Sequence, residues 1–227
     1  MAINRPVARA RTQAPSIALS LVAAVSVVAL AIMGGVLLGL FSAVADRASA
    51  PGVVRWLGNV PGPWVLLAFV IGAVAGTRLG GAVAAVIGLA CGVVSYYGYL
   101  YATGARPWLD TVEHAMAVWT LVAVAAGAGF GWAGGSWRRG WRWERVVAVA
   151  LLCGVLAGEA LLLVTEKGHT AGRLMVASEA VFAVALAWCL LRDMRERAVA
   201  ATLGCGVSLV AIEALIVFSH RLRDAGL

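Results

Sequence analysis

Cys153-Gly-Val-Leu-Ala-Gly-Glu159-Ala-Leu-Leu-Leu-Val164 is an apolar run with a single carboxylate inside it. Wound into a helix it has no polar face, which is the pattern of a helix surrounded on all sides by protein or lipid. A charge at the centre of a membrane span costs roughly 3 kcal/mol on insertion scales, so a carboxylate kept there reads as a site. Glu179 and Glu213 stand the same way inside two later apolar segments.

The surrounding chain supports a membrane setting. Its 227 residues are 62% hydrophobic and 13% charged, with a mean hydropathy of +0.92. A soluble domain carries about 25% charged residues. Several apolar runs reach the ~20 residues that cross a bilayer as a helix. They are continuous rather than alternating, which excludes a transmembrane β-barrel. The fold class is therefore all-α, a polytopic transmembrane bundle.

The net charge of +7 does not mark a nucleic-acid binder. Its basic residues, all arginine except Lys167, sit in short clusters between apolar runs, as the positive-inside rule expects. The Ala, Val, Gly and Arg bias matches GC-rich coding and a bacterial plasma membrane. Cys91, Cys153, Cys189 and Cys205 fall inside apolar runs without CxxC spacing and read as small buried hydrophobes.

In chain order, residues 1–15 form a cytoplasmic arm with Arg5, Arg9 and Arg11, residues 16–220 the transmembrane domain and 221–227 a short tail. A first span covers about Ser16 to Ala45. The basic arm and Ala43-Val-Ala45 resemble a secretory signal, but a signal's apolar core is about 7–15 residues long. A retained span is expected, with cleavage as the rival. A loop over 46–62 precedes a second span from Pro63 to about Leu79. Gly80-Gly81 is the expected turn into a third, about Ala82 to Thr103, and a re-entrant hairpin of this pair is the alternative. Residues 106–114 form a loop, and spans follow over about 115–137, 146–165, 174–191 and 198–219, seven in all.

With the N-terminus inside, the inner segments carry Arg5, Arg9, Arg11, Arg78, Arg138, Arg139, Arg142, Arg145, Arg192, Arg195 and Arg197, eleven of the 18 basic residues. That asymmetry favours a cytoplasmic N-terminus and an outer C-terminus.

At 1.5 Å of rise per residue, Glu159, Glu179 and Glu213 lie about 9–12 Å from the nearest outer loop or end. Tyr96 and Tyr97, near the end of the third span, and Asp110 and Glu113, at the entrance to the fourth, fall on that same side. Lipid satisfies none of these groups, so they should turn inward. The expected site is an outward-leaning polar pocket lined by Glu159, Glu179, Glu213, Tyr96, Tyr97, Asp110 and Glu113. Against it, each glutamate alone is equally well a helix–helix hydrogen-bonding group. Tyr101 reads better as part of an interfacial aromatic belt, and His114, His169 and His220 as solvated.

Gly35xxxGly39, Gly72xxxGly76xxxGly80, Gly88xxxGly92, Gly127xxxGly131xxxGly135 and Gly154xxxGly158 are close-packing stripes. There is no phosphate loop, HExxH, GxSxG or nucleotide fingerprint. Asp110, Glu113 and His114 are too few for a metal centre. Neither cofactor nor metal is expected.

Pro63-Trp-Val-Leu-Leu-Ala-Phe69, Val118-Trp-Thr-Leu, Phe130-Gly-Trp-Ala-Gly-Gly-Ser-Trp-Arg138 and Gly154-Val-Leu-Ala-Gly-Glu159 together resemble a family of bacterial multi-pass membrane proteins of unknown function. The likeness runs from about Gly34 onward. It implies a small helical membrane protein in which Gly158-Glu159 recurs, and it implies no activity.

Three functions fit. The first is binding or transport of a small lipophilic or cationic ligand, an ion or a proton through the glutamates; proton coupling needs a carboxylate that burial makes hard to ionise. The second is intramembrane acid–base catalysis on a lipophilic substrate, similar in size to terpene cyclases, with Glu159 as the acid. The third is an assembly or partner subunit using its glycine faces. The bilayer is the partner common to all three, and an oligomer is compatible with each.

Overall fold

A computed structural model describes residues 17–47, 50–104, 110–166 and 170–224. The arm over 1–15, the tip of the 106–114 loop and the turn around His169 lie outside them, as do the side chains of Asp110 and Glu113. The described residues form eight helices and no strand: α1 Ile17–Ala45, α2 Gly52–Asn59, α3 Gly62–Ala75, α4 Arg78–Ala102, α5 Asp110–Arg139, α6 Arg142–Glu166, α7 Thr170–Leu190 and α8 Met194–Asp224.

Three stretches, Ser20–Ala45, Arg78–Ala102 and His114–Arg139, are long and apolar enough to cross a membrane. A fourth is added if α2 and α3, bent by 49°, form one broken span. Alone, the 14 residues of α3 reach about 21 Å, short of the ~30 Å hydrocarbon core.

Local chemistry sets the breaks. Val60 is extended (φ −92°, ψ 145°) because it precedes Pro61, whose ring disfavours helical geometry there. So the 46–62 loop of the sequence reading contains a helix, α2, closed by a proline bend. Pro63 sits in the first turn of α3, where a missing N–H costs little.

The turn between α3 and α4 falls at Gly76-Thr77, not at Gly80-Gly81. Gly76 adopts the left-handed conformation (φ 67°) that ends helices. The Thr77 hydroxyl then caps α4 by accepting from the Gly80 N–H at 3.1 Å. Gly80 and Gly81 thus belong to α4, and Gly72xxxGly76xxxGly80 is not one packing stripe. Likewise α5 begins at Asp110, so residues 110–114 are helical; a carboxylate suits a helix start. At the other end α8 runs on to Asp224, past the expected limit near Ser219, because no glycine or proline intervenes before Gly226.

Between membrane helices there is little hydrophobic gain, so close backbone approach through small residues holds them together. Gly35 and Gly39 of α1 meet Gly88 and Gly92 of α4, two GxxxG stripes face to face. Gly131 of α5 sits against Gly72 of α3 and Gly81 of α4, where a Cβ on Gly81 would lie 2.7 Å from the Gly131 carbonyl oxygen. These contacts build a first group, α1, α3, α4 and α5, around Ala31, Ala68, Ala84, Ala85 and Leu89.

α6 is the centre of a second group with α7 and α8, and it also packs on α3 and α5. Gly154 of α6 meets Gly204 and Val207 of α8. Ser208 donates to the Gly154 carbonyl at 2.8 Å, tying the same pair. α7 packs mainly on α6, and its opposite face is bare: Val181 and Val184 are 68% and 67% exposed. Cys189 and Cys205 lie on such uncovered faces and are exposed, unlike the half-buried Cys91 and Cys153.

The two ends of the bundle differ in chemistry. At one end Arg78 pairs with Glu144 at 2.6 Å, and Arg142 bridges Asp193 (2.7 Å) and Glu196 (2.8 Å). At the opposite end of α4, Tyr99 meets Arg47 and Tyr96 meets Asp46.

Candidate functional site

Glu159 faces inward from α6 and is 5% exposed. Its Oε2 accepts a hydrogen bond from the Gly62 backbone N–H, buried, at 3.0 Å. The reason is local. Gly62 opens α3 between Pro61 and Pro63, neither of which has an N–H, so it carries the one amide donor of that triplet. No residue of α3's own first turn can serve that amide, and a side chain from the neighbouring helix does. A Cβ at Gly62 would lie 2.9 Å from Leu156 Cδ2, the movable end of a side chain, and 3.4 Å from Glu159 Oε2.

Glu179 enters from α7 and is 6% exposed. It is close enough to Glu159 for their charges to interact. Ala183, one turn further along α7, packs on Leu152 and Leu156 of α6, and its carbonyl accepts from Cys153 at 3.3 Å. The pair is therefore held by the ordinary α6–α7 contact. Glu159 Oε1 and Glu179 Oε2 are buried with no protein hydrogen-bond partner among the described residues. Two neighbouring carboxylates repel when both are charged. One positive charge between them, a shared proton or a small cation, satisfies the arrangement.

The other sequence candidates lie elsewhere. Glu213 is exposed on α8. Tyr97 is buried in the α1–α3–α4–α5 core and stacks edge-on against Tyr96, ring centres 4.9 Å apart. The Tyr96 hydroxyl donates to Asp46 at the end of α1. Arg47 donates to the Tyr99 hydroxyl and lies over its ring at 5.2 Å. The tyrosines thus close α1 onto α4, and α4 packs on α1, α3 and α5. Tyr101 is exposed. Asp110 and Glu113 are placed by the helix alone.

Two partners escaped the sequence reading. The Gly62 amide was findable from Pro61-Gly-Pro63, a lone donor between two prolines. Asp46 had no signal beyond its charge at the end of an apolar run. Among the described residues no three His, Cys, Asp or Glu side chains converge as a metal would need.

The model of a family of unknown function, DUF6518, matches residues 18–221, and the chain belongs to that family. The match includes α1. No curated protein and no solved structure matches the chain.

Proposed function

We propose that this DUF6518 protein is a seven-span membrane protein, N-terminus cytoplasmic, that binds a proton or a small cation between Glu159 and Glu179 in the service of transport. The observation that carries the reading is two buried carboxylates close enough for their charges to interact, each with an oxygen that no protein group among the described residues serves. A helix-packing role accounts for one oxygen of Glu159, the one on Gly62. It leaves the other, and Glu179, without a purpose.

Seven spans follow if α2 and α3 are one broken crossing and α6, α7 and α8 each cross. At 21 to 31 residues these three are at least about 31 Å long. This count alternates the helices so that the arginine-rich segments fall on one side, as positive-inside topology requires. The Gly62 end of α3 then faces outward, and with it the carboxylate pair. α1 is a retained span, since Gly35 and Gly39 are built into the packing with α4.

The test is thermal unfolding of the detergent-purified protein with sodium, potassium or tetramethylammonium chloride across pH 5 to 8. Wild type should be stabilised by one of these cations or by protons. Glu159→Gln and Glu179→Gln should each lose that response. Equal responses in all three proteins would overturn the proposal.

A further inference from the structure

The arginine-rich end holds a second feature that the carboxylate pair does not use. Eight arginines (78, 138, 139, 142, 145, 192, 195 and 197) share it with three carboxylates. Those three are already committed: Glu144 to Arg78, and Asp193 and Glu196 both to Arg142. The remaining arginines are not neutralised by any carboxylate among the described residues.

Three of them, Arg138, Arg145 and Arg192, line one cleft of about 410 Å³ with Trp137 and Glu196. Arg138 comes from the end of α5, Arg145 from the start of α6, and Arg192 from the segment between α7 and α8. Arg145 Nε is buried there without a protein hydrogen-bond partner among the described residues. Arg138 is oriented by its donation to the Ala73 carbonyl at 3.0 Å.

The cleft does not stop at the charged end. Cys189 lines it and also lines an apolar groove on the bare face of α7, with Val181, Val184 and Trp188. From Ala180 to Cys189 the groove runs about 14 Å along the helix. Trp188 is exposed under Arg197, whose guanidinium lies 3.8 Å from its ring centre. Trp141 and Trp143 are exposed at the same end of the bundle. Tryptophans in that position mark the headgroup level of a bilayer.

We infer that the cleft and groove together bind one anionic phospholipid, with its phosphate on Arg138, Arg145 and Arg192 and an acyl chain along Val181, Val184 and Trp188 of α7. Charge selects the headgroup, and guanidinium forks match phosphate oxygens. Continuity with the groove selects a lipid over a soluble anion. Glu196 does not oppose this, because Arg142 holds it. The inference needs a membrane-embedded chain and is independent of the carboxylate pair.

The experiment is native mass spectrometry of the full chain released from nanodiscs of mixed phosphatidylglycerol and phosphatidylcholine. Wild type should retain one phosphatidylglycerol in preference to phosphatidylcholine. Arg145→Gln with Arg192→Gln should weaken retention roughly 30-fold. Arg139→Gln, a charge loss outside the cleft, should change it little. Val184→Trp, filling the groove, should weaken phosphatidylglycerol while leaving any effect of inorganic phosphate on thermal stability unchanged.

Arg192→Lys, which keeps the charge, should retain most binding and guards against misreading a folding defect. Equal losses in Arg139→Gln and in the cleft variant would overturn the site. Retention untouched by Val184→Trp and abolished by inorganic phosphate would mean an anion site rather than a lipid site, and would overturn the inference as well.

Discussion

Replacing Glu159 by leucine and by glutamine separates its two roles. Leucine removes the acceptor and leaves the buried Gly62 N–H of α3 unpaired. An orphaned buried donor costs about 1–3 kcal/mol. The lost repulsion with Glu179 offsets a part of this, so the net expectation is about 2 kcal/mol. For a chain of this size that is a fall in Tm of about 4–8 °C. Glutamine keeps an oxygen for Gly62, and its NH2 group can donate to the unpartnered Oε2 of Glu179. Glu159→Gln should therefore melt within about 2 °C of wild type, or above it. The assay is thermal unfolding in one detergent at low salt, with no added ligand. A leucine variant as stable as wild type would show that the Gly62 contact is not a cap. Equal losses in both variants would show that the carboxylate itself, and not its acceptor oxygen, holds α3 to α6.

Gly131→Leu should destabilise the fold by about 1–3 kcal/mol, because its Cβ would meet Ala85 Cβ at 2.7 Å and the Gly81 backbone. Gly129→Leu, where an added side chain meets nothing within 4 Å, should change Tm little in the same melt. A double-mutant cycle between Asp46→Asn and Tyr96→Phe should give a coupling of about 1 kcal/mol, measured by chemical unfolding. Strict additivity there would remove the Tyr96 contact as the clasp between α1 and α4.

The membrane class was legible because continuous apolar runs such as Ser20–Ala45 are long enough to cross a bilayer as a helix. Helical rise turns sequence distance into height, and on that basis Glu159, Glu179 and Glu213 are expected at one level. Glu159 and Glu179 lie close enough for their charges to interact, and Glu213 is exposed on α8. Depth says nothing of which helix stands beside which. Tyr96 shares the end of the bundle expected of Glu159, but it belongs to α4, which packs with α1, and so it met Asp46 instead. The α3–α4 turn was misplaced for a different reason. Gly76 and Gly80-Gly81 are competing glycine signals, and the deciding feature is the Thr77 cap, a side-chain hydrogen bond whose strength a glycine count does not carry. α2 was missed because eight residues between prolines resemble a loop in composition.

The Gly62 contact makes the carboxylate pair part of a joint. Glu159 Oε2 holds the first amide of α3 immediately after the proline bend that separates α3 from α2. A ligand that draws Oε2 toward Glu179 competes with that amide for the same oxygen. Occupancy between α6 and α7 is then reported at the elbow between α2 and α3, on another part of the chain, with no relay other than one hydrogen bond. Faster amide hydrogen exchange at Gly62 when the site is filled is the expected sign of this trade, and unchanged exchange would show that the elbow is locked by its prolines alone.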